Sequence, residues 1–126
     1  MERVTGIGGI FFKAQDPDKI REWYRDHLGI EFGDDTAWIF RWREHARPNE
    51  VGMTVWSPFP CDTKYFDPSD KPFMINYRVV NLAAMVAQLA QQGIQTGAIE
   101  DSPYGRFTWI SNPEGNRLEL WEPPKE

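Results

Sequence analysis

Asn112-Pro-Glu-Gly-Asn-Arg-Leu-Glu-Leu-Trp-Glu-Pro-Pro124 reads as a turn, a strand and a stop. Pro113 pre-sets its own φ and Gly115 is free to take a positive one, so Pro-Glu-Gly-Asn is a turn by composition. From Arg117 to Trp121 the residues alternate. Leu118 and Leu120 fall on one face, and Arg117, Glu119 and Trp121 fall on the other. Pro123 and Pro124 cannot donate to a sheet ladder and end the strand. The leucine face is a core face. Glu119 therefore sits mid-strand on the opposite one, either rinsed by solvent or forming the floor of a site.

Laid on itself with a shift of 65 residues, the chain matches in order. Trp56 falls on Trp121, Pro58 on Pro123, Pro48 on Pro113 and Met53 on Leu118. At the front of each half Asp16 meets Asn81, Ile20 meets Met85 and Tyr24 meets Leu89. One residue of slippage later, Leu28-Gly-Ile30 meets Gln92-Gly-Ile94. Coincidence explains any one match but not the ordered set. The reading is a single domain made of two modules, 5–58 and 72–124, joined by the linker 59–71.

The modules share a grammar. Gly6 to Ala14 alternates as a strand, Asp16 caps a helix with Pro17 at its first position, and Gly29 closes that helix. Ile20, Trp23, Tyr24 and Leu28 recur at helical spacing. Thr36 to Arg43 and Glu50 to Trp56 read as further strands. In the second half Phe73 to Val79 is a strand, Asn81 caps a helix running through Gln92, and Gly93 closes it. Ile94 to Ile99, Gly105 to Ser111 and Arg117 to Trp121 complete the module. The pattern is β-α-β-β-β, twice.

Composition narrows the function. A length of 126 residues suits one core. The net charge of −5, with no Lys/Arg run, argues against a nucleic-acid partner. No apolar run reaches membrane-spanning length, and Met1-Glu-Arg-Val lacks a signal peptide's apolar segment, so the expectation is a cytoplasmic protein with no membrane partner. The single cysteine, Cys61, permits no internal disulfide and no cysteine-built zinc site. Six Trp and eight Phe must either fill a core or line an apolar cavity.

The duplicated βαβββ pattern, the Asp16-to-Tyr24 segment and the closing Asn-Pro-Glu-Gly-Asn-Arg-Leu-Glu-Leu-Trp together resemble the vicinal oxygen chelate superfamily, which includes glyoxalase I, extradiol dioxygenases, and the fosfomycin- and bleomycin-resistance proteins. The resemblance implies an α+β fold of two tandem modules whose curled mixed sheets surround a cavity, usually completed in a homodimer. It also implies four metal-ligand positions in the superfamily's enzymes, which fall on Gly9, Thr54, Met74 and Glu119. Only Glu119 offers a hard oxygen donor with charge, and one carboxylate is no chelate. His27 lies at a helix end and His45 in a loop, neither placed to substitute. The expectation is a protein with no metal or other cofactor.

The same alternation names what lines the cavity instead. Phe11, Lys13, Thr54, Trp56, Met74, Asn76, Arg78, Arg117, Glu119 and Trp121 share the inward parity. Trp38, Phe40 and Trp42 share one face of the second strand, and Phe107 and Trp109 share one face of its counterpart. Whether those two faces look inward stays open. The candidate ligand contacts are thus Phe11, Lys13, Trp38, Phe40, Trp42, Thr54, Trp56, Met74, Asn76, Arg78, Trp109 and Glu119. Apolar walls with sparse polar groups suit a small-molecule pocket.

Blander readings stand beside these. Glu119 pairs with Arg78 or Arg117, Met74 fills core, and the Trp38 face packs on a second subunit. Three functions follow. One is a metal-free binder of the bleomycin-resistance type, sequestering an aromatic or bulky ligand as an antibiotic-resistance protein does. The alternative is an enzyme: a metal-dependent isomerase, lyase or dioxygenase, or a metal-free one with Glu119 as catalytic base. The last is an interaction module in which the linker Pro58 to Asp70 serves as a surface or a lid.

Overall fold

A computed structural model describes residues 1–32 and 36–125. Both helices start where a side chain can cap them. Asp16 accepts from the Lys19 backbone N–H ahead of α1 (Pro17–Leu28), and Asn81 accepts from that of Ala84 ahead of α2 (Leu82–Gln91). Gly29 closes α1 in the left-handed region, at φ 72°. Around them run β1 (Val4–Ala14), β2 (Trp38–Arg43), β3 (Val51–Pro60), β4 (Phe73–Val79), β5 (Glu100–Ser102), β6 (Gly105–Ser111) and β7 (Arg117–Glu122).

The strands form one curled, unclosed sheet in the order β2-β3-β1-β4-β7-β6-β5. β1 and β4 meet antiparallel at its centre, and each runs parallel to a later strand of its own half, β3 or β7. The halves therefore join side by side within one chain, in a continuous sheet rather than two separate ones. Both helices lie on one face. Tyr24 of α1 packs on Phe12 and Trp56, while Leu82 and Met85 of α2 pack on Val79 and Leu120. The opposite, inner face carries Phe11, Met74, Asn76 and Glu119, which the ladders place side by side: Phe11 opposite Met74, Asn76 opposite Glu119.

Three expectations are corrected. Ile94 to Ile99 is not a strand. The edge strand is the short β5, and the preceding segment touches β6 through Gly97, whose N–H donates to the Trp109 carbonyl. Thr96 Oγ1 turns back to the Gly97 carbonyl, a local bond that competes with a ladder. The first half shows two strands after its helix among the described residues, not three; residues 33–35 lie outside that description. Finally, β3 runs on to Pro60, past the expected end at Trp56. β2 pairs with β3 only as far as Trp56, so the outer edge beyond it has no ladder to break, and Pro58 and Pro60 are tolerated there.

Candidate functional site

Glu119 is 1% exposed and has no salt bridge among the described residues. It is held instead by three neutral donors. Asn76 Nδ2 donates to Oε1 at 2.6 Å, and Tyr65 Oη and Trp109 Nε1 donate to Oε2 at 2.5 and 2.8 Å. A buried carboxylate needs such donors, because leaving its oxygens unpaired away from water costs several kcal/mol. Desolvation, and then the charge and hydrogen bond of Glu119, push the Tyr65 phenol above its ordinary value of 10.0, so Tyr65 stays a donor. The alternative reading, in which Glu119 pairs with Arg78 or Arg117, is not met: neither ion pair is made among the described residues.

Arg117 instead clamps the linker. Its Nη1 donates to the carbonyls of Tyr65 and Asp67 at 2.7 and 2.5 Å, while its guanidinium lies 5.1 Å from the Trp109 ring centroid. Phe66, fully buried, inserts against Phe11 and Met74. Tyr65 stacks on Phe59, with centroids 5.6 Å apart. Lys13 Nζ sits 5.6 Å over the Phe66 ring. This end of the inner face, which alternation marked as cavity wall, is thus filled by the chain's own linker. Phe11, Lys13 and Met74 are its packing partners.

The other end is open. A hollow of about 600 Å³ lies over Arg78 and Trp121, walled by Val51 and Met53 and rimmed by Pro123. Trp121 is buried and stacks in line with Phe107 at 6.1 Å, and Phe107 in turn lies 6.4 Å from Trp109. Arg78 lies 5.7 Å over the Trp42 ring, and its buried Nε–H has no acceptor among the described residues. The Asn76 Oδ1 likewise has no donor. Glycines make room here: a Cβ on Gly6 or Gly52 would collide with the Trp42 indole, and one on Gly8 with Asn76 Oδ1. A larger groove of about 770 Å³ at the end of α2, by Val86, Ala90 and Ile94, presents no ionisable side chain and none of the candidate residues.

Several candidates do not reach either end. Trp56 packs beneath α1, with Phe12, Tyr24 and Phe32 around it, on the helix face. The internal repeat misleads at this point. Carried over by 65 residues, Asn76 opposite Glu119 predicts Phe11 opposite Thr54, but Phe11 stands opposite Ser57. An odd slip turns every side chain of the strand to the other face. Thr54 spends its hydroxyl on Trp42 Nε1 and the Ile7 carbonyl, at 2.8 and 2.5 Å. Trp38 and Phe40 pack edge to face on β2, with β3, β1 and β4 between them and β7. Sequence reasoning missed Tyr65 and Phe66 as partners of Glu119 and Met74. The only signal was the cluster of aromatics in a segment otherwise read as linker or lid.

No family model matches the sequence, and neither does any curated protein. Solved structures do. Methylmalonyl-CoA epimerase from Mycobacterium tuberculosis aligns at 25% identity and TM-score 0.63, over 97% of this chain and 90% of that one. A variant of the Streptomyces coelicolor methylmalonyl-CoA epimerase, in complex with 2-nitronate-propionyl-CoA, aligns at 17% and 0.69, over 98% and 100%. A catechol 2,3-dioxygenase aligns at 20% and 0.57, over 99% of this chain but 41% of that larger one. This is the vicinal oxygen chelate fold.

The resemblance puts the superfamily's four metal-ligand positions on Gly9, Thr54, Met74 and Glu119, and these residues do not fit a hard divalent cation. Gly9 brings no side chain. The Met74 thioether is fully buried beside Phe11 and Phe66. The Thr54 hydroxyl is already bonded on both sides, and both Glu119 oxygens are taken. Among the described residues no three His, Cys, Asp or Glu side chains converge.

Proposed function

We propose that this vicinal oxygen chelate protein is a small-molecule receptor. It holds an aromatic or otherwise bulky ligand over Trp121 and Arg78, with no metal ion at the superfamily's ligand positions. The observation that carries this reading is the hollow of about 600 Å³ on the inner face, floored by a buried tryptophan beside an arginine with no salt bridge among the described residues. Its size falls within the roughly 300–1,000 Å³ of ordinary ligand pockets, and its lining has their makeup, apolar walls with a few polar groups. Stacking on the indole favours flat ligands.

A second reading, an enzyme in which Glu119 moves a proton, draws support from the epimerase neighbours. It requires a substrate to reach a carboxylate that is 1% exposed and already held by Asn76, Tyr65 and Trp109. The closed arrangement favours the receptor. Tests of the receptor are tryptophan-fluorescence titrations against a panel of bulky aromatic compounds, before and after exhaustive dialysis against a chelator. Saturable quenching that survives the chelator is the expected result; no saturable response, or one restored only by added divalent metal, overturns it.

We also infer a homodimer. The helix face of β1 leaves Ile7 and Ile10 about 40% exposed, with α1 and α2 packed to either side. Among the described residues no helix is long and apolar enough to cross a membrane.

A further inference from the structure

We propose that the hollow over Trp121 selects an organic anion, a carboxylate or phosphate on a flat apolar body, with Arg78 as its anchor. The inference rests on the receptor reading and names the ligand class of that same site. Among the charged groups around the hollow, Arg78 is the one with a buried donor that has no acceptor among the described residues. Arg47 bridges to Glu44 and Glu50, at 3.0 and 3.6 Å. The Glu122 carboxylate accepts the Leu82 N–H at the start of α2, at 2.8 Å. Lys125 lines the outer rim, beyond Pro123 and Pro124. Arg78 has no salt bridge among the described residues, its guanidinium rests on the Trp42 face, and its Nε–H is buried without an acceptor.

A guanidinium donor shut away from water without an acceptor is an unfavourable arrangement, and native structures nearly always pair such groups. An oxyanion satisfies it in the geometry a guanidinium fork prefers, two parallel N–H···O bonds. Trp42 fixes the fork in advance, so little side-chain freedom is lost on binding. Around it Val51, Met53 and Trp121 offer apolar surface, which selects against small hydrated anions. The chain's net charge of −5 gives no long-range attraction for an anion, so selectivity has to come from this local contact.

The test is a calorimetric titration with three probes of one shape: naphthalene-2-carboxylate, 2-naphthyl phosphate and the neutral 2-naphthylmethanol. The Arg Nε–H region of a nitrogen-15 correlation spectrum is followed in parallel. The expected result is that at least one anion binds about tenfold or more tighter than the alcohol, as a charge-assisted pair implies, with a downfield shift of one Arg Nε–H. Whichever anion leads separates carboxylate from phosphate. Arg78→Met should erase the difference between anion and alcohol, and Arg78→Lys should restore part of it. The comparison of probes on the unaltered protein stands even if Arg78→Met fails to fold. Equal affinity for alcohol and anions overturns the anion assignment while leaving the receptor intact. Failure of all three probes to saturate overturns both.

Discussion

Glu119 loses three hydrogen bonds at once when its side chain is removed. Glu119→Ala leaves Asn76 Nδ2, Trp109 Nε1 and Tyr65 Oη without their acceptor, the first buried and the other two partly so. A loss of about 3–5 kcal/mol in denaturant unfolding is expected. Tyr65→Phe removes one donor and should cost about 1 kcal/mol. The tyrosine also predicts a pH effect. Its folded value lies above the ordinary 10.0, so its contribution is complete below pH 10 and is lost as the pH climbs further. Spectrophotometric titration of the four tyrosines should show one ionising late, and Tyr65→Phe should remove that late component. The place of Glu119 on the inner face was legible from alternation alone. Its partner Tyr65 was not, because a contact across so many residues leaves no periodic trace.

At the scale of elements, the linker acts as a wedge. Phe66 is fully exposed to its neighbours and not at all to solvent, so Phe66→Ala should cost about 3–5 kcal/mol by opening a cavity between Phe11 and Met74. The helices were easily read: Asp16 and Asn81 cap them as local chemistry dictates, and either residue changed to Ala should cost about 1 kcal/mol. Strand faces were read less well. Trp121 and Trp56 occupy matching places in the repeat, yet a slipped β1–β3 register sends one inward and the other beneath α1. Register is set by packing across the sheet, and a single strand's alternation fixes its two faces without saying which is inner.

At the scale of the molecule, the duplicated pattern carried the fold because each half must place its helix on one side of its strands. Joining β1 to β4 then leaves both helices on one face and a trough on the other. Light scattering at micromolar concentration should give twice the chain mass of 14.7 kDa, and substituting Ile7 and Ile10 with charged residues should return it to a monomer. What the sequence did not disclose is how the trough is shared. The linker occupies the end at Glu119, and the end at Arg78 stays hollow. The most direct measurement is to follow the indole N–H resonances of all six tryptophans while naphthalene-2-carboxylate is added. Saturable shifts are expected at Trp121 and Trp42, with Trp109 held still by Glu119. Shifts centred on Trp109, or none at any indole, would contradict the proposed site.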